Sequence, residues 1–305
     1  MRNSATPLDS SPATRNPLRI LLLCWQESRI AVQLIFLMRF LLAGTAGTVS
    51  YVSLPPLLFA GAAVWSLAVT SAYLYNGVTD VNEDRANGST RPIGRGALTL
   101  VHARRTARIL AALALAGGAW IGPAMLTVTA LMILLGYVYS APGIALKSST
   151  PGTMVTVIAS GALTYAAGAL CAGTPVGPSL IVFCTAMCLW MGLVGSVAKD
   201  FSDTTGDAKH GRRNWTLVRG RAYTAAFVSV SAMCVGTGLL ASAFVLAAPQ
   251  LLAPAVVMLG GALAVTAAAF TGHRDDSRSR RRLPYRIFMV TQYAAHLVAF
   301  AQPVG

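Results

Sequence analysis

The sequence predicts an all-α, polytopic membrane protein, and three observations carry that prediction. Charged residues make up 11% of the 305 positions and hydrophobic ones 55%, whereas soluble domains carry about 25% charge. Mean hydropathy is +0.60. Uncharged apolar stretches recur at the roughly 20-residue length that a helix needs to cross about 30 Å of hydrocarbon. The formal net charge of +14 does not point to nucleic acid, because a basic face needs a wettable body to carry it. The basic residues suit the ends of membrane spans instead.

Residues 1–17, rich in Ser, Thr, Asn and Pro, read as a disordered tail. Leu18 to Trp25 is apolar but too short to span, and no small-residue cleavage site follows it. An interfacial helix is therefore expected there rather than a cleaved signal peptide. The chain divides into this 1–25 segment and a single membrane domain over 26–303. Nine stretches in that domain read as transmembrane helices, near 30–50, 53–79, 106–121, 123–142, 152–173, 177–199, 221–246, 250–271 and 284–303. Only Ile121-Gly122-Pro123 divides the third from the fourth, and a tight turn there fits better than one overlong helix.

The basic residues test this count independently. Loops near Ser50, Gly122, Thr174 and Pro249, and the C-terminal end, contain no Lys or Arg. The intervening loops hold Arg85 to Arg108, Lys147, Lys209 to Arg219, and Arg274 to Arg282. Positive-inside bias then places the N terminus in the cytoplasm and the C terminus outside. Arg39 is the one charge well inside a span, and it either faces a cavity or snorkels to the surface. Cys24, Cys171, Cys184, Cys188 and Cys234 lack zinc or redox spacing and read as packing residues.

Six of the ten acidic residues fall in two short segments. Asp80, Glu83 and Asp84 end the second span; Asp200, Asp203 and Asp207 end the sixth. Asn76, Asp80 and Asp84 are spaced i, i+4, i+8 and share a helical face, as do the second set at i, i+3, i+7. Like charges at such spacing repel unless a cation lies between them. Hard oxygen ligands from two facing helices suit Mg²⁺, with substrate phosphates completing its shell. The alternative is plain surface pairing with Arg85, Arg91, Lys199 and Lys209. The 120 positions between Asp80 and Asp200 also hint at a parallel repeat in which those two residues coincide.

Basic residues follow each cluster: Arg85, Arg91 and Arg95 after the first, Lys209, Arg212 and Arg213 after the second. Charge-assisted donors beside a metal suit a diphosphate. Arg91 and Lys209 are the candidates for that role; Lys147, alone in its loop after Tyr137-Val-Tyr139-Ser-Ala-Pro, either joins them or is a topology charge. Arg104, Arg105, Arg108 and the Arg274–Arg282 run read as topology charges.

Together these motifs resemble those of the UbiA superfamily of intramembrane prenyltransferases. The likeness lies in Asn76-x3-Asp80-x3-Asp84 with Arg91-Pro92, Asp200-x2-Asp203-x2-Gly206-Asp207, and Tyr139-Ser-Ala-Pro-x4-Lys147. The length of the Tyr-to-Lys stretch is closer to the homogentisate and chlorophyll-synthase branch than to the 4-hydroxybenzoate branch. Many members have an acid where this chain has Gly77. The resemblance implies nine helices around a central cavity, with Asp80, Asp84, Asp200 and Asp207 as catalytic acids holding two Mg²⁺ ions. Asn76 and Asp203 would support the metals, and Arg91, Lys147 and Lys209 would grip the diphosphate of an isoprenoid donor. The isoprenoid tail would lie among residues such as Leu131, Phe183 and Met187. Ionisation would give an allylic cation, attacked by an electron-rich, aromatic acceptor in a dry cavity.

The same ionisation could end in ring closure, as in a terpene cyclase of this superfamily. From another class, a cation transporter could use clustered acids as ion ligands, but transport sites usually lie near the bilayer midplane and no midspan acid exists here. High Ala, Gly and Arg content suits a bacterial plasma-membrane protein of quinone or secondary-metabolite synthesis, with its site opening to the cytoplasm.

Overall fold

The computed structural model describes residues 16–46, 56–173, 176–271 and 277–302. Residues 1–15 of the expected 1–17 tail lie outside them. Among the described residues the chain is helical throughout, apart from one isolated bridge between Ser149 and Arg213.

Local chemistry sets the helix starts. Helix α1 (Pro17–Glu27) opens on Pro17 with the Asn16 side chain accepting from the Leu18 and Arg19 amides. Its exposed Leu18, Leu21, Leu22 and Trp25 fit an interfacial helix. The chain then bends by 76° through Arg29, which takes a left-handed conformation (φ 63°), into α2 (Ile30–Thr45). Helix α3 (Pro56–Thr79) leads to the short α4 (Val81–Ala86), and α5 (Leu100–Ile121) starts on a Thr99 cap. Gly122 (φ 151°) and Pro123 form the expected turn into α6 (Pro123–Ser140). Ser149 caps α7 (Thr150–Ala172).

Helix α8 spans Pro178–Phe201, with a π turn at Trp190–Gly195 and a 3₁₀ turn at its end. The short α9 (Thr204–Lys209) and α10 (Trp215–Val218) follow. Helices α11 (Arg221–Val245), α12 (Pro249–Thr271), α13 (Arg278–Arg281) and α14 (Leu283–Ala301) complete the chain.

Among the described residues six helices are long and apolar enough to cross a membrane: α3, α6, α7, α8, α11 and α12; the bent α1–α2 pair, taken as one span, makes a seventh. Helices α5 and α14 occupy the third and ninth expected positions but fall short of that hydropathy. Arg104, Arg105 and Arg108 dilute α5; Arg286, Gln292 and His296 dilute α14.

Helices α2, α7, α8, α11, α12 and α14 share one core around Phe183, Met187, Trp190 and Phe288. A second joins α2, α3, α6 and α7 around Phe36, Phe40, Trp65 and Met132. Outward-facing Phe59, Trp120, Phe244, Leu263 and Leu297 are exposed, as expected of a lipid-facing surface in which backbone polar groups are satisfied within helices.

Candidate active site

Each acidic segment is a helix break. Helix α3 stops at Asp80 (φ −92°, ψ 2°), the residue that begins the six-residue α4. Helix α8 stops just before Asp203 (φ −101°, ψ 10°), which begins the six-residue α9. Asp80 and Asp203 are thus counterparts, as are Asp84 and Asp207 one turn further on. This corrects the register that pairs Asp80 with Asp200, because α8 continues through Asp200 before it breaks. The counterpart of Asp200 is Gly77. A Cβ on Gly77 would lie 2.5 Å from Glu27 Oε1 and 2.7 Å from an Arg91 nitrogen. The space a side chain would take at 77 is filled by the buried Glu27–Arg91 ion pair (2.6 Å).

The two segments meet. Asn87 Oδ1 accepts from the Gly206 amide at 2.8 Å. Helix α4 packs against α9, and a Cβ on Gly206 would come within 2.3 Å of the Asn87 amide. Arg212 then bridges the acids, with Nη1 3.1 Å from Glu83 and 3.5 Å from Asp207. Lys147 forms an ion pair with Asp80 and donates to Thr79 Oγ1 at 2.9 Å. Asp200 accepts from Thr150 Oγ1 (2.7 Å) and the Trp215 amide (3.1 Å); Asp207 accepts from Asn214 Nδ2 (2.9 Å).

Electrostatics follow from burial and these neighbours. Burial alone would raise the Asp80 carboxyl, yet Lys147 and Arg212 hold it below its ordinary value. Asp203 likewise opposes burial: Lys199, the Ser202 hydroxyl and Arg278 bring it down to about 2. For Glu83 burial wins over Arg212 and the carboxyl is raised.

A cavity of about 130 Å³ opens beside Asn76 and Asp80 and runs inward between α2, α3, α6, α7, α8 and α14. A smaller polar cavity of about 20 Å³ holds Asp200, Asp203, Asp207, Lys147, Arg212 and Asn214. Tyr139, Thr153, Ser196 and Lys199 line both.

Of the expected site residues, Asn76, Asp80, Lys147, Asp200, Asp203 and Asp207 therefore converge. Asp84 and Arg91 do not line either cavity; they pair with each other at 2.5 Å. Lys209 is exposed at the end of α9, and the turn after it brings Arg212 inward in its place. Arg29 also lines the larger cavity; nothing in the sequence signals the bend that puts it there. Arg278, expected to be a topology charge, reaches Asp203 at 3.4 Å.

The tail residues need correction. Leu131 is exposed on the outer face of α6, and Phe183 and Met187 are buried in the core. Met132, Leu135, Gly136 and Tyr139 line the cavity instead, the 3.6-residue period turning Leu131 away.

The donor chemistry fits Mg²⁺: hard carboxylate oxygens from two helix ends, with the Asn76 side-chain amide beside them. Among the described residues no three acidic, His or Cys side chains form a set that could hold a metal ion. Mg²⁺ seldom needs such a set, taking one or two carboxylates and completing its shell with phosphate and water.

The model of the UbiA prenyltransferase family matches residues 34–291. No curated protein matches the chain in sequence. Among solved structures, a UbiA homologue from Archaeoglobus fulgidus bound to GPP and Mg²⁺ superposes with a TM-score of 0.67 at 17% identity, covering 90% of this chain and 99% of its own. An apo UbiA homologue from Aeropyrum pernix K1 gives 0.67 at 15% identity, covering 90% and 98%. A digeranylgeranylglyceryl phosphate synthase structure gives 0.63 at 14%, covering 93% and 98%. At these identities the likeness is one of fold.

Proposed function

The chain belongs to the UbiA prenyltransferase family, a family of multi-pass membrane enzymes, and from that premise we propose that it transfers a prenyl group from an isoprenoid diphosphate to an electron-rich aromatic acceptor. The observation that carries this reading is the junction of the two cavities. A polar chamber rich in cations and carboxylates adjoins a deep chamber walled by Val32, Ile35, Phe36, Met132, Leu135 and Val157. A diphosphate with a hydrocarbon tail has the same two-part chemistry. The GPP and Mg²⁺ bound by the A. fulgidus homologue support it.

In this reading Asp80, Asp200 and Asp207, backed by Asn76, Asp203 and Asp84, would hold two Mg²⁺ ions. When bound, Mg²⁺ supplies positive charge against the negative charge that develops on the diphosphate. Lys147, Arg212, Lys199 and Arg29 add fixed cations at the same mouth. The carbon–oxygen bond breaks with its electron pair leaving on the diphosphate, and Tyr73, Tyr139 and Tyr285 offer aromatic surroundings to the allylic cation. An acceptor carbon forms the new bond, and its proton goes to a carboxylate or to the released diphosphate. The apolar walls keep water from the cation.

Arg39, fully buried behind the inner end of the cavity, weighs against cyclisation. Moving positive charge down the tail brings it towards this guanidinium, and like charges repel more strongly in a low-dielectric interior than in water.

With α5 and α14 added to the seven apolar spans the chain would cross nine times, and the basic loops would then favour a cytoplasmic N terminus and an outside C terminus in a bacterial plasma membrane. The acid-bearing helix ends then open to the cytoplasm, where a water-soluble diphosphate head arrives. The test is incubation of the purified protein with Mg²⁺ and geranyl, farnesyl or geranylgeranyl diphosphate, with and without a panel of phenols, followed by mass spectrometry. A prenylated phenol is expected; a cyclic hydrocarbon or alcohol formed without acceptor would replace transfer by cyclisation.

A further inference from the structure

The larger cavity can be followed from mouth to floor along six helices. At its mouth stand Arg29, Asp80, Tyr139, Thr153, Lys199 and Tyr285. Its deepest lining residues, two to three turns further in by the helical period, include Phe36 on α2, Ser160 on α7, Met191 on α8 and Gln292 on α14. Three of these four touch the same side chain. Arg39 Nη1 lies 2.8 Å from Met191 Sδ, Nη2 donates to Gln292 Oε1 at 2.9 Å, and the guanidinium sits 5.8 Å from the Phe36 ring centre.

Arg39 is fully buried and among the described residues pairs with no carboxylate. Its guanidinium also lies 5.9 Å from the Tyr165 ring centre, and its Nε has no hydrogen-bond partner. A charge within a span is costly and is kept where it acts. Neutral partners do not explain a cation here, since a Met or Leu would fill the volume without desolvating charge. What the arginine does provide is a rigid fork that holds residues of α8 and α14 together across the end of the cavity.

We infer that Arg39, through Met191 and Gln292, forms the floor of the tail chamber and sets the length of isoprenoid chain the protein accepts. The inference rests on the prenyl-donor reading. Each isoprene unit gains affinity by leaving water for the apolar walls, until the chain meets a plug that is polar, charged and braced from three helices. A longer chain must then fold back or displace the plug.

The test is calorimetric binding, with Mg²⁺, of the non-ionising geranyl, farnesyl and geranylgeranyl S-thiolodiphosphates and of inorganic diphosphate. It compares the wild type with Arg39→Ala and Met191→Ala. Met191→Ala trims the floor without removing a charge, so the test survives a failure of Arg39→Ala to fold. Wild-type affinity is expected to rise with chain length, then stop rising or fall. In the folded variants that break moves one isoprene unit longer, with at least a tenfold gain for the first chain the wild type rejects. An unchanged profile in a folded variant would overturn the inference, as would a wild-type affinity that climbs unbroken through geranylgeranyl. Binding of inorganic diphosphate without any prenylated analogue would also overturn it, leaving the head-group site intact. If nothing binds, inorganic diphosphate included, the prenyl-donor reading itself falls.

Discussion

Asn87 accepts a hydrogen bond from the Gly206 amide across 2.8 Å, tying the first acidic segment to the second although 119 positions separate them. The contact leaves no room for a Cβ at 206, which would overlap the Asn87 amide at 2.3 to 2.7 Å. Gly206→Ala must therefore displace the Asn87 side chain and break this hydrogen bond; product formation should fall at least fivefold. Asn87→Ala removes only the hydrogen bond, about 1 kcal/mol, and should cost about fivefold. Initial rates, with thermal unfolding as the folding control, check both. Wild-type rates in Gly206→Ala would show that the junction does not hold the site together.

The basic side chains divide by position rather than by sequence neighbourhood. Lys147 pairs with Asp80 and Arg212 bridges Glu83 and Asp207, whereas Lys209 is exposed on the far end of α9. Lys147→Met and Arg212→Met are each expected to lower turnover by 1.5–3 kcal/mol of transition-state stabilisation, on the order of tenfold or more. Lys209→Met should stay within about twofold of wild type. Steady-state kinetics separate the three; a large loss in Lys209→Met would place the diphosphate elsewhere.

Two neighbours on α6 test the tail chamber. Met132 lines the cavity and Leu131 faces outward. Met132→Trp should block the chamber and lower activity at least tenfold, while Leu131→Trp should leave it unchanged. Equal effects of the two would contradict the assigned face.

Acid stability has a definite sign at Asp203. Its unfolded carboxyl titrates near 3.8 and its folded one at about 2, through Lys199, Ser202 and Arg278 acting against burial. The unfolded chain therefore binds the proton first as pH falls. Asp203 stabilises the fold above roughly pH 4, by on the order of 2 kcal/mol, and loses that contribution between roughly pH 4 and pH 2. Thermal melts in detergent should show a steeper acid loss for the wild type than for Asp203→Asn. Parallel curves would remove the carboxylate from that role.

Much of this was legible in the residues because the signals are local. Apolar run length located the long helices α3, α6, α7, α8, α11 and α12, and the Gly122-Pro123 turn, since each depends on a single stretch meeting hydrocarbon. The acidic motifs were legible as clusters because six carboxylates in two short segments stand out in a chain so poor in charge. What was not legible depends on where helices break and how they turn afterwards. Asp203, not Asp200, matches Asp80 because a π turn and a 3₁₀ turn carry α8 one step past Asp200. Arg212 replaces Lys209 because the chain reverses after α9. Arg29 enters the cavity through a left-handed residue at a 76° bend. Arg39 could be seen as an unusual charge, but only packing shows that three floor residues converge on it.

Diphosphate release from a prenyl diphosphate, measured as an initial rate in the presence of Mg²⁺ and a phenolic acceptor, tests the central claim most directly. The comparison is between wild type, Asp80→Ala and Asp200→Ala, all shown to be folded. Prenyl transfer at the junction of the two cavities predicts Mg²⁺-dependent release by the wild type, one diphosphate per prenylated product, and a loss of at least a hundredfold in both variants. Release that persists in either folded variant would contradict that assignment of the site, and no release from any donor by the folded wild type would contradict the reaction.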